Sequence, residues 1–198
     1  MKKPFKILGI VLGVVICSVV VVIGLGAFWW ATVKNVPVTD EDRRIVVRAI
    51  DLIPYFDEYS PVEEFESFEK VRYIDQSEDL NYKYDSPKVD EPYLAVTVTH
   101  ERNRSDANTT YAMECSAQRF GLNLADGDFD LVENNSFYSA GDRSRFASIS
   151  YNGESVGHLF VAQKGNSVYA FTMTVFVMDD PTIWRELFDD RIARLNGN

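Results

Sequence analysis

The sequence predicts an α+β protein. An N-terminal transmembrane helix leads into one domain, in which helices pack an antiparallel sheet that ends in a three-strand meander. Three observations predict it. Residues 7–30 carry no charged side chain. Three strand-like runs between 145 and 177 are separated by Asn152-Gly153 and Gly165-Asn166, pairs that accept the positive φ of tight hairpin turns. Ile183, Trp184, Leu187, Phe188, Ile192 and Leu195 then recur at helical spacing. Average composition hides this order: 46% apolar residues and a mean hydropathy of −0.15 describe an ordinary soluble chain.

In chain order, residues 1–6 read as a cytoplasmic N-terminus and 7–30 as the transmembrane helix. As a helix that run extends about 36 Å, enough to cross a hydrocarbon core of about 30 Å. Lys2, Lys3 and Lys6 precede it and only Lys34 follows closely, which favours an N-in orientation. Trp29 and Trp30 suit the lipid–water interface. A cleaved signal peptide would have a shorter apolar core and no such aromatic pair after its cleavage site, so retention is expected. A lipoprotein is disfavoured, because Cys17 lies deep in the run behind Val15 and Ile16. Gly9, Gly13 and Cys17 share one helix face, a possible helix-dimer surface that equally reflects the ordinary glycine content of membrane helices.

Residues 31–38 form a linker and 39–198 one extracytoplasmic α+β domain, long enough for its own core. Thr39 with Asp40, Glu41 and Asp42 caps a first helix. Its apolar stripe is Ile45, Val46, Ala49, Ile50 and Ile53, and Pro54 ends it. Runs 68–75 and 80–86 read as short strands. Run 93–100 reads as a clearer one, with Leu94, Val96 and Val98 alternating with smaller or polar residues. Residues 105–120 form a second helix carrying Cys115, which reads as a small buried hydrophobe. Strands 145–151, 155–164 and 167–177 make the meander. Asp180-Pro181 then caps the terminal helix.

The run GNSVYAFTMTVFVMDDPTIWRELFDDRIARL, residues 165–195, resembles the end of PsbP-type α/β/α sandwich domains. There a hairpin strand, a loop and a Trp-bearing amphipathic helix close an antiparallel sheet. The resemblance implies a largely non-enzymatic binding or assembly role. It carries over no functional residue, because no binding motif here matches one.

Motifs for chemistry are few. Gly153-Glu154-Ser155-Val156-Gly157 fits G-x-S-x-G, but a nucleophile elbow needs a strand-to-helix turn followed by an acid and then a histidine. Ser155 instead follows a hairpin turn and enters a strand, and the only later histidine is His158. His100 and His158 lack second ligands at metal-like spacing and read as surface or packing residues. Asp126-Gly127-Asp128-Phe129-Asp130 begins like a calcium loop but has Leu131 and Phe137 where an EF-hand places Gly and Glu. Asn103, Asn108 and Asn134 open N-glycosylation acceptor patterns, which matter only in a eukaryotic host. The MKKPFK start instead suggests a bacterial inner membrane. There is no P-loop or dinucleotide fingerprint, and no catalytic residue, cofactor or metal is expected.

Charge narrows the partners. Residues 1–39 hold four lysines and no acid, so the overall −10 places −14 on residues 40–198. That excess repels phosphate backbones and excludes ordinary nucleic-acid binding. Phe56, Tyr59, Phe65 and Phe68, interleaved with acids, form a possible docking segment or a core-contacting edge. The expected function is a single-pass, membrane-anchored binding or scaffolding protein. Its partners would be the bilayer through residues 7–30 and another envelope protein or a second copy. A small apolar ligand-binding or transport-accessory domain is the alternative. A Ser155 hydrolase comes third.

Overall fold

Alternation of apolar and polar residues dominates the chain beyond the linker, and strands follow from it. A computed structural model describes residues 33–88, 91–123 and 129–195. Contacts divide the chain into Met1–Lys34 and Asn35–Asn198, and apart from Lys34 of the first strand the described architecture is that of the second unit. Its elements are β1 (Lys34–Asn35), α1 (Asp40–Ile45), 3₁₀ turns at Ala49–Tyr55 and Glu63–Phe65, β2 (Glu66–Arg72), β3 (Glu78–Asp85) and β4 (Tyr93–His100). Then come α2 (Arg104–Asn123), β5 (Phe129–Glu133), β6 (Arg143–Tyr151), β7 (Glu154–Lys164), β8 (Ser167–Thr174) and α3 (Pro181–Arg194).

The strands form one eight-stranded sheet in the order β1-β2-β3-β4-β8-β7-β6-β5. Two meanders, β2–β4 and β5–β8, join through antiparallel pairing of β4 with β8, Val96 lying opposite Phe171. The turn after β6 places Asn152 at φ 51° and Gly153 at φ 83°, as the residue pair foretells. β8 stops at Thr174 rather than running on to 177, because Val175 takes φ 76°, outside any strand conformation.

Period-two alternation sends Leu80, Tyr82, Tyr84, Leu94, Val96, Val98, Tyr169, Phe171 and Met173 to one face. α3 lies on that face with Trp184, Leu187, Phe188 and Ile192 buried. Trp184 stacks on Phe188 with ring centroids 4.9 Å apart and meets Phe146 edge-on at 4.8 Å. The other face is thinner: Ala107 of α2, flanked by Tyr111 and Cys115, packs on Val161, Val168 and Ala170.

The expected fold class needs correction. The architecture is mostly an eight-stranded antiparallel sheet with three α-helices, and the meander has four strands because β5 precedes the expected three. No helix among the described residues is long and apolar enough to cross a membrane, so the transmembrane, single-pass assignment finds no span in the described structure. The physical reason lies in patterning, since the apolar residues of the described part alternate along strands or line one helix face. The expected span 7–30, with Trp29, Trp30, Gly9, Gly13 and Cys17, lies outside the described residues.

The first helix is also shorter than expected. α1 ends at Ile45, and Val46 turns to extended backbone. Two core tyrosines take the backbone donors that a continuing helix would have used. The Val47 N–H donates to the Tyr169 hydroxyl at 3.1 Å and the Ala49 N–H to the Tyr82 hydroxyl at 2.7 Å. The chain restarts as a 3₁₀ turn in which Ala49 and Leu52 face the core. Ile50 and Ile53, expected inside, are left 52% and 45% exposed.

Candidate functional site

The aromatics of the expected docking segment mostly face the body of the domain. Phe56 stacks on Phe176 at 4.1 Å, and buried Tyr59 meets the same ring edge-on at 5.0 Å. Phe65 packs on Tyr84 at 6.3 Å, and Phe68 lies between Tyr82, at 4.8 Å, and the Arg43 guanidinium, at 4.4 Å. The intervening residues Asp57, Glu58, Ser60, Val62, Glu63, Glu64 and Ser67 stand exposed.

Ser155 is an exposed residue at the start of β7. His158 is buried: its Nε2 accepts the Met178 N–H at 2.9 Å and its Nδ1 lies 3.4 Å from Ser148 Oγ. Burial pushes its pKa down to about 4. The glycines of the G-x-S-x-G pattern have structural duties instead. Gly153 makes the turn, and a Cβ on Gly157 would lie 2.2 Å from the Met173 carbonyl oxygen of β8. Asp126, Gly127 and Asp128 lie outside the described residues, while Phe129 packs on Tyr151 at 4.8 Å. Among the described residues no group of three or more His, Cys, Asp or Glu could hold a metal ion. Cys115 is a half-buried free thiol whose backbone carbonyl accepts from Arg145 at 2.6 Å.

Concave surfaces lie on the two flanks of α1. Thr39 and Asp42 hold that short helix through a reciprocal capping box, with the Thr39 N–H donating to Asp42 Oδ2 at 2.8 Å. On one flank is a cleft of about 610 Å³, lined by Glu41, Asp42, Lys70, Glu78, His100 and Arg194 among others. Lys70 Nζ sits 2.8 Å from Asp42 and 3.2 Å from Glu78, which also receives Arg72. Burial alone would raise the Asp42 pKa, but the hydrogen bonds from Lys70 and Thr39 outweigh it and hold the carboxyl below its ordinary value. Burial likewise would lower Lys70, yet Asp42 and Glu78 hold its ammonium above the ordinary value. Asp42, Lys70 and Glu78 in the cleft are thus fixed, mutually satisfied charges.

His100 lines the same cleft. Buried Ser167 donates its hydroxyl to the Leu195 carbonyl at 3.0 Å, which leaves His100 Nδ1–H to donate to Ser167 Oγ at 2.7 Å. Burial lowers the His100 pKa, so the ring is neutral at pH 7 with Nε2 free to accept. Ser167 is no nucleophile, since its proton is spent on a carbonyl and the residue is fully buried.

On the opposite flank a groove of about 570 Å³ gathers Arg43, Arg44, Arg48, Arg191 and Arg194, with Asp40, Asp51, Glu186 and Asp190 between them. Two of these arginines are structural. Arg191 reaches Asp51 at 2.7 Å and the Val46 and Leu187 carbonyls at 3.1 and 2.6 Å, and Arg48 reaches Glu66 at 2.6 Å. The other three are exposed and loosely held. Arg44 and Arg194 share Glu41 at 3.6 and 3.7 Å, and Arg43 rests on the Phe68 ring with no carboxylate partner among the described residues. The Arg-Arg pair at 43–44 and the helical spacing of 191 and 194 were visible in the sequence, but nothing local tells that α1 and α3 lie side by side. Both grooves are polar, so the surface offers charge pairing rather than an apolar cavity. No protein-family model, curated protein or solved structure matches this chain.

Proposed function

We propose that the domain is a binding or scaffolding module for another protein, and that the α1–α3 face is its contact surface. The observation that carries this reading is the arginine groove, a concentration of loosely paired cations on a domain whose net charge is strongly negative. Catalysis finds less support on this face. Lys70 is neutralised by two carboxylates, and the serine beside His100 is buried and donates elsewhere. The ligand-pocket reading finds less as well, because charged side chains predominate in the lining of both grooves.

Site-specific photo-crosslinking of the full chain in its native host tests the proposal. A photoreactive residue at Arg44 or Asp190 is expected to give one discrete protein adduct, while the same residue at Glu154, on the β6–β7 hairpin, gives none. No adduct from the groove, or equal adducts from both places, would overturn it.

A further inference from the structure

Resting on that reading, we infer that the arginine groove receives an acidic segment of the partner protein that also carries apolar side chains. Guanidinium groups present planar forks of N–H donors that match carboxylate oxygens. Here three of them face solvent, two sharing a single carboxylate at long range and the third resting on an aromatic ring. Glu41 lies 3.6 and 3.7 Å from Arg44 and Arg194, beyond the 2.7–2.9 Å usual for a close charge-assisted contact. Arg43 is held in place by Phe68, an orientation that leaves its donors to another group. The groove therefore presents unfilled guanidinium donors to incoming anionic groups.

Two features select an acidic protein segment over a polyphosphate. Asp40 and Asp190 stand among the arginines, and the whole domain is acidic, so a dense phosphate chain meets repulsion on either side. A peptide places carboxylates singly, with neutral residues between them. The second feature is apolar. The 3₁₀ turn that brings Asp51 to the groove also exposes Ile50 and Ile53, which are three residues apart and share one face of that turn. This pair is unexplained by the core and lies on the element that lines the groove. Arginines in the groove and two exposed isoleucines on the turn that supplies Asp51 to it form the complement of a segment mixing Glu or Asp with Leu-like residues.

Fluorescence anisotropy with the full chain tests this, using a short labelled peptide of Glu and Leu as the probe. The peptide is expected to bind, and to bind more weakly as salt rises. Affinity should fall on the order of tenfold in the Arg44→Glu/Arg194→Glu double variant. It should also fall in Ile50→Ser/Ile53→Ser. The Arg185→Glu control, which changes charge on α3 outside the groove, should leave affinity unchanged. Circular dichroism of each variant verifies folding. Absence of peptide binding, an equal loss in Arg185→Glu, or equal binding of inorganic polyphosphate without dependence on Ile50 and Ile53 would overturn the inference. A crosslinked partner whose contact segment lacks acids would overturn it too, while leaving the binding role intact.

Discussion

His158 carries a distinct pH dependence. Its ring sits in the core, 5.4 Å from both Phe146 and Trp184, and nothing nearby stabilises a charge well enough to offset burial. The folded pKa of about 4 lies below the ordinary 6.5. As pH falls below 6.5, the unfolded chain takes up a proton that the folded chain refuses, so stability drops with pH. The loss approaches the order of 3 kcal/mol as pH nears 4. Urea unfolding between pH 7 and 4.5 should show this slope, and His158→Gln, which can still accept the Met178 N–H, should flatten it. An unchanged slope in that variant would refute the assignment. Asp42 and Glu78 act in a different window. Their folded pKa values are lowered, so the stability they add persists above the ordinary carboxylate range and is lost only as pH falls below it. At this scale the sequence was informative about what a residue could be and silent about its surroundings. His158 read as a surface or packing residue from its place in a strand, whereas the burial that shifts its pKa comes from packing against residues such as Phe146 and Trp184.

Elements were legible where local rules govern them. The Asn152-Gly153 turn, the alternation in β4, the Thr39 capping box and the Asp180-Pro181 start of α3 all stand where turn chemistry and periodicity place them. α1 shows where those rules fail. The apolar spacing from Ile45 to Ile53 suits a continuing helix, but the hydroxyls of Tyr82 and Tyr169 compete for the same backbone donors and win. Tyr82→Phe should therefore destabilise the domain by about 1–3 kcal/mol, the usual cost of leaving a buried N–H such as that of Ala49 without its acceptor. It should also raise hydrogen exchange at Ala49 ahead of global unfolding. A variant with wild-type stability and protection would show that the segment holds its shape without this bond. β5 was missed for a related reason: five residues with one strong apolar alternation give little signal, and pairing with the pre-formed edge of β6 orders them.

Across the whole molecule one sheet and one main core are shared by both meanders. Trp184 sits at the centre of that core, fully buried and in ring contact with Tyr138, Phe146, His158, Phe160, Phe171 and Phe188. Trp184→Ala should cost about 3–5 kcal/mol in thermal or urea unfolding, because a cavity that size cannot close against a rigid sheet. A loss below about 1 kcal/mol would mean that α3 contributes little to the fold. The candidate site belongs to this scale as well. Arg194 reaches Glu41, and Arg191 reaches the Val46 carbonyl 145 residues away, so the groove exists only once α3 has docked beside α1.

By itself, the sequence determined the strongly acidic charge of residues 40–198, the strands and turns of the final hairpins, and the capped ends of α1 and α3. These follow from neighbours along the chain, through backbone preference, capping and alternation. Only the tertiary structure decided the strand order with β4 beside β8, the early end of α1, the inward turn of Phe56, Tyr59, Phe65 and Phe68, and the gathering of five arginines at one groove. Each of those depends on contacts between segments far apart in sequence. Their free energies are set by burial and by the partners that packing supplies, which no local pattern encodes.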